Sequence, residues 1–239
     1  MDTRTKEILY DLENNKLAPD SSFRFHCTQC GKCCINREDI LLSPLDLFRI
    51  AKELKLSMEE ALKRYCECYI GAESRFPVVR LKPKGSVKRC PFLKNRKCLI
   101  QNAKPAVCAM FPIGRGICFD KESEDDSPKP VIEYFYTNPG CGDDARTQTL
   151  KEWFDQFHIP LEDEFFIAWT TFRKKMVGLL MEAEKTFGET AMPQLWNPMF
   201  GILYLCYHME KEFYPQFQKN TANLLESLQG LLGKNDSRK

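Results

Sequence analysis

The spacing of apolar positions changes along the chain, and each change predicts a different element. Near the start, Ile8, Leu9, Leu12 and Leu17 recur on one side of a helix, so an amphipathic helix is expected over residues 4–17. Residues 25–34 show no helical period and read as loop. Ser43-Pro44 then supplies an N-cap followed by the residue best suited to the first helical position, opening a helix to about Leu54. Ser57-Met58-Glu59-Glu60 has the spacing of a capping box and predicts a second helix to about Tyr69.

Between residues 77 and 100 the pattern breaks up. Pro77, Pro83, Gly85 and Pro91 separate short β-prone pieces such as Val78-Val79-Arg80-Leu81, and Lys94-Asn95-Arg96-Lys97 reads as a hairpin turn. The acidic run at 120–126 reads as a solvated loop. A strand is expected over residues 131–136, closed by the turn Asn138-Pro139-Gly140. From Thr147 onward the period is helical. Leu161, Phe165, Trp169, Phe172, Met176 and Leu180 make one stripe, Trp196, Phe200, Leu203 and Tyr207 a second, and Phe217, Leu224, Leu228 and Leu231 a third after Pro215. Such faces are what three or four packed helices need. The expectation is a mainly α chain with minor β. A helix occupies residues 1–22, a loop-rich, metal-organised domain residues 23–144, and a helical bundle residues 145–239.

Composition narrows the function. With 43% hydrophobic and 28% charged residues, the 239-residue chain has the balance of a globular protein. A formal charge of +2 from 35 basic and 33 acidic residues lacks the excess of proteins that grip nucleic acid through phosphates, so no nucleic-acid partner is expected. No run approaches the roughly 18 apolar residues of a membrane span. The charged start Met1-Asp2-Thr3-Arg4 leads into no apolar segment of a secretory signal, which points to the cytoplasm.

The cysteines change the picture. There are twelve, and all but Cys206 lie between Cys27 and Cys141. In a reducing compartment such a count reads as metal ligation or redox chemistry before disulfides. Cys27-x2-Cys30-x2-Cys33-Cys34 carries the strongest signal. A two-residue gap lets the chain turn so that two sulfurs converge on one centre, and Gly31 permits the positive φ of such a knuckle. Thiolates are soft ligands and select zinc or iron over magnesium or calcium. Cys33 and Cys34 are adjacent, so their sulfurs are expected to diverge onto different metal atoms. Further ligands are expected at Cys90, Cys98, Cys108 and Cys141, each in loop-like sequence near Pro or Gly. Cys66 and Cys68 fall on the capping-box helix, where residues two apart point to different sides, and read as bystanders. Cys118 is ambiguous, Cys206 reads as core, and His26, His158 and His208 are not expected as ligands.

Taken together, Cys27-x2-Cys30-Gly31-x-Cys33-Cys34, Cys90-Pro91-Phe92-Leu93, Cys98 and Lys104-Pro105-x2-Cys108-x2-Phe111-Pro112 resemble the YkgJ-type cysteine-cluster family over roughly residues 23–142. Ser43-Pro44-x-Asp46 resembles that family's helix start after the cluster. The family usually has arginine where Lys104 stands, and a cysteine directly before Pro-Gly where this chain places Cys141 after them. The resemblance implies a zinc- or iron-chelating domain. It also implies a relation to flagellin lysine N-methylases, which are linked to an iron–sulfur cluster and so raise an enzyme hypothesis. Yet the chain has no glycine-rich dinucleotide-type loop after a strand, and Arg37 stands where the C-x3-C-x2-C triad of radical enzymes would need its third cysteine. The ferredoxin run matches only in its first three cysteines. The leading expectation is therefore metal binding through Cys27, Cys30, Cys33, Cys34, Cys90, Cys98, Cys108 and Cys141, with an iron–sulfur cluster ranked ahead of zinc. The alternative is a metal-dependent protein-modifying enzyme, such as a lysine N-methyltransferase-like protein, acting on a protein substrate.

Overall fold

A computed structural model describes residues 13–119 and 130–236, with Lys6 and Tyr10. Half of the helix expected over residues 4–17, and the whole acidic run at 120–126, lie outside the described residues. From the N-terminus, β1 (Lys16–Leu17) and β2 (Ser22–His26) lead to a 3-10 turn at Lys32–Cys34. Strand β3 (Leu41–Leu42) precedes helices α1 (Pro44–Glu53) and α2 (Met58–Tyr65) and strands β4 (Cys66–Ile70) and β5 (Pro77–Leu81). The hairpin β6 (Leu93–Lys94) and β7 (Lys97–Cys98) is followed by helix α3 (Ala106–Met110). Next come β8 (Ile113–Phe119), β9 (Pro130–Tyr136), β10 (Asp143–Thr149) and α4 (Leu150–Asp155), then the longer helices α5 (Glu164–Phe187), α6 (Met192–Tyr204) and α7 (Phe213–Asp236).

Contacts group these elements into two compact units, one of residues 1–37 and 84–167, the other of residues 38–83 and 168–239. In the first, β9 pairs antiparallel with β1 and with β8, and β10 pairs antiparallel with β2. Alternation along β2 turns Phe23 and Phe25 inward. They join a core with Met110, Ile113, Tyr134, Leu150, Trp153 and Phe154. The Trp153 ring meets Phe25 edge-on at 5.6 Å, and its indole N–H donates to the Met110 carbonyl at 2.9 Å, so the buried ring leaves no polar atom unpaired.

In the second unit, both helix starts carry the caps expected of them. The Ser43 hydroxyl accepts from the Asp46 amide while the Asp46 carboxylate accepts from the Ser43 amide at 2.8 Å, and Ser57 and Glu60 repeat the device. Strands β3, β5 and β4 form an antiparallel sheet. Beyond it Phe76 is fully buried, its ring 5.8 Å from Trp169 and 6.3 Å from Phe172. Met176, Leu180, Met192, Leu203, Tyr204 and Phe217 are buried in the same unit, so the expected stripes are core faces there, whereas Leu231 is exposed and Leu232 is buried in its place.

The fold class differs from the expected mainly α chain. Helix accounts for 47% and strand for 21%, with four small sheets, which makes the chain mixed α/β. The missed strands draw their stability from distant partners. Residues 143–149, Asp-Asp-Ala-Arg-Thr-Gln-Thr, have little local preference for strand and become one by pairing with β2 more than 110 residues earlier, with a register shift between Asp143 and Thr147. Likewise the helix expected to reach Tyr69 stops at Tyr65, because residues 66–70 pair with Pro77–Leu81 from Cys66↔Leu81 to Ile70↔Pro77. Cys66 and Cys68 therefore stand on a strand, where residues two apart share a face. Among the described residues no helix is long and apolar enough to cross a membrane.

Candidate metal centre

The four N-terminal thiols leave the end of β2, a strand held by its inward phenylalanines and by the pairing of His26 with Asp143. The chain then turns through Gln29 and Gly31, at φ 52° and 76°, into the 3-10 turn that carries Cys33 and Cys34. The second group arrives from a separate stretch. Cys90 follows a loop closed by the Lys84↔Arg89 bridge, and its amide donates to the Cys34 carbonyl at 2.8 Å, which ties the two groups together. Cys98 ends β7, and Cys108 lies in α3. Cys141 sits between Gly140 and Gly142, both at positive φ. At Gly142 a β-carbon would lie 2.5 Å from the Phe25 ring and 2.6 Å from the His26 carbonyl, so only glycine brings this turn so close to β2.

All eight expected ligands thus fall in the unit of residues 1–37 and 84–167, whereas Cys66, Cys68 and Cys206 belong to the other. Cys118 stands apart on β8, where its thiol donates to Glu133 at 3.0 Å and Lys16 holds the other carboxylate oxygen at 2.9 Å. His26 pairs with Asp143 at 3.1 Å, and His208 is bonded through its backbone to the Gln216 side chain.

Three cysteines share a local geometry. The amide of Lys32 donates to Cys30, that of Phe92 to Cys90 and that of Ile100 to Cys98, each two residues beyond its cysteine. An amide aimed at sulfur favours thiolate over thiol. The Lys32 amide holds Cys30 below the usual thiol range against the opposing effect of burial, helped by the Gly142 amide, the Thr28 hydroxyl and the Cys141 thiol. Cys90 is held low by donation from Cys34 and then by the Phe92 amide. Burial raises Cys98, with the Ile100 amide and the Lys104 ammonium opposing it.

The sulfurs form one linked group. Cys33 and Cys34 lie 3.9 Å apart, and Cys34 is also hydrogen-bonded to Cys90. The bond with Cys33 lowers Cys34, but the bond with Cys90, burial and the neighbouring Cys90 and Cys98 outweigh it and push Cys34 up to about 11. Cys90 lies within electrostatic reach of Cys98 and Cys108. Burial pushes Cys141 up to about 11, aided by Cys33, Cys30 and Cys27. The sulfurs of Cys33 and Cys34, expected to serve different metal atoms, stand 3.9 Å apart.

Among the described residues no three His, Cys, Asp or Glu side chains stand close enough to hold an ion as they are arranged. The donor set nevertheless fits zinc or iron, since it is all thiol, gathered from two stretches of chain and supplied with amide donors. The sequence reading missed the amides, Thr28 and the approach of Lys104 to Cys33 and Cys98. Only the spacing of Lys104, four residues before Cys108, hinted at its role.

Residues 26–130 match the model of the CxxCxxCC family, described as a "putative zinc- or iron-chelating domain". Seven of the eight thiols lie inside that stretch, and Cys141 lies beyond it. Over 111 residues the chain is 32% identical to the uncharacterized protein MJ0661 of Methanocaldococcus jannaschii, a match that covers 46% of this chain and 52% of that protein. The chain therefore spans about half the length of this curated relative. No solved structure matches.

Proposed function

We propose, for a chain whose residues 26–130 belong to the CxxCxxCC family of zinc- or iron-chelating domains, that Cys27, Cys30, Cys33, Cys34, Cys90, Cys98, Cys108 and Cys141 hold its metal. The observation that carries this reading is the repeated amide-to-sulfur bond at Cys30, Cys90 and Cys98. Thiols that merely fill space gain nothing from such donors, whereas ligands that must ionise do. All twelve cysteines are free, which supports a reducing setting such as the cytoplasm.

An iron–sulfur centre ranks ahead of zinc, on the adjacent pair Cys33-Cys34 and on the resemblance to methylases linked to such a cluster. Anaerobic purification followed by elemental analysis and a visible spectrum tests this. Iron with acid-labile sulfide and a broad visible absorption is the expected result. A colourless protein with stoichiometric zinc would reverse the order, and a folded protein free of both metals would remove the proposal. A centre with three thiolates and a solvent position would instead favour the enzyme reading; Cys27, the exposed member, is the ligand to examine first.

A further inference from the structure

The near-neutral charge of the whole chain conceals a strong local imbalance. No acidic residue stands between Ser74 and Phe119, while residues 84–119 hold eight basic ones. Arg115 is buried in an ion pair with Asp163, but several of the others stand beside the cluster cysteines. Lys94, Arg96 and Lys97 are exposed on the β6–β7 hairpin, and the Arg96 backbone comes within 3.8 Å of where a β-carbon on Gly31 would stand. Lys32 follows that glycine and is also exposed. Lys84 and Arg89 flank the loop whose Val87 carbonyl accepts from the Asn36 amide at 3.0 Å, so the run after Cys34 lies along it.

Aliphatic side chains are exposed among these charges. Ile35 is 38% exposed, Val87 53%, Leu99 56% and Val107 42%, and each stands within three residues of a cluster cysteine. Exposed aliphatics set among charges offer contacts to apolar side chains of a partner. Among the described residues the rim has no exposed aromatic, so bases would find no stacking platform there, and phosphate contact would have to hold a nucleic acid. An acidic polypeptide with aliphatic side chains satisfies both features at once.

We propose that the rim of the cysteine cluster is a docking surface for an acidic, aliphatic-rich segment of a partner protein. The surface lies within one compact unit and does not depend on which metal the cluster takes. The test uses the full metal-loaded chain and three fluorescent probes followed by anisotropy. These are a 20-residue peptide of Glu, Asp and Leu, its analogue with every Leu replaced by Ser, and a 20-nucleotide oligothymidylate. The leucine peptide should bind, with the serine analogue at least about ten-fold weaker. The triple reversal Lys94→Glu, Arg96→Glu, Lys97→Glu should weaken the leucine peptide by a similar factor while metal content and circular dichroism stay unchanged. Reversal at Lys185 and Lys219, exposed in the other unit, should leave binding unchanged. If the hairpin variant fails to fold, Lys84→Glu with Arg89→Glu serves the same purpose. Peptide binding that ignores both reversals would overturn the proposal, as would tighter, hairpin-dependent binding of the oligothymidylate. A chain that carries no metal yet docks the peptide would retain this surface and dismiss the metal reading. A metal-loaded chain that docks nothing would do the opposite.

Discussion

The two units reach stability by different means. The helix-rich unit of residues 38–83 and 168–239 buries long apolar faces around Phe76, Trp169 and Phe172, and capping boxes start its helices α1 and α2. The cysteine-bearing unit has a smaller aromatic core under β2, joined to loops that carry eight thiols. Apolar burial of about 25 cal/mol per Å² is expected to sustain the first alone, whereas the second, with short strands and loops, is expected to gain from ligation. One chain thus shows that a cysteine's meaning depends on its surroundings. Cys66 is buried in the helix-rich unit, where burial and the nearby Cys68 push its thiol up to about 12 and keep it inert. Cys30 faces donors that draw it the other way.

The largest expected effect breaks the comparison open. A strong chelator, or Cys30→Ser or Cys90→Ser, should remove metal and expose residues 84–119 to protease, since structural ligation contributes on the order of 10 kcal/mol to folding. Helical circular dichroism should persist in large part through α5, α6 and α7. A single cooperative loss of all structure would show that the two units fold as one. The reciprocal change is Phe76→Ala, which should cost about 3–5 kcal/mol by opening a cavity against Trp169 and Phe172. Thermal melting should shift while metal content holds, and metal loss in this variant would refute the separation. Cys66→Ser should keep its metal and cost about 1–3 kcal/mol, a packing loss only. Should elemental analysis find as much metal missing as in Cys30→Ser, the division of ligands from bystanders is wrong. The smallest change is Ser43→Ala, expected to cost about 1 kcal/mol through loss of the cap on α1, read as a lowered denaturation midpoint with an unaltered visible spectrum.

Local chemistry was legible wherever it was self-contained. The caps at Ser43 and Ser57, the turn at Asn95-Arg96 and the positive φ at Gly31 each need only neighbouring residues, and each was readable from the chain. The long stripes of α5, α6 and α7 were readable too, because helical periodicity is written in consecutive turns. The strands at Cys66–Ile70 and Asp143–Thr149 were not, since their stability comes from partners the local sequence does not name.

The same division holds at the candidate centre. By itself the sequence determined the donor chemistry: thiols at close spacing, hence a soft metal, with the knuckle glycine placed after Cys30. Only tertiary structure decided which thiols keep company. Cys90, Cys98, Cys108 and Cys141 reach the first four because the chain leaves their unit at residue 37 and returns at residue 84, and because β10 pairs with β2. It also decided that Cys33 and Cys34 stand 3.9 Å apart, and that the amides of Lys32, Phe92 and Ile100 meet sulfur. The physical reason is common to all of these. Donor type is a property of one side chain, but direction and distance belong to the backbone that carries it, and long-range pairing sets that backbone.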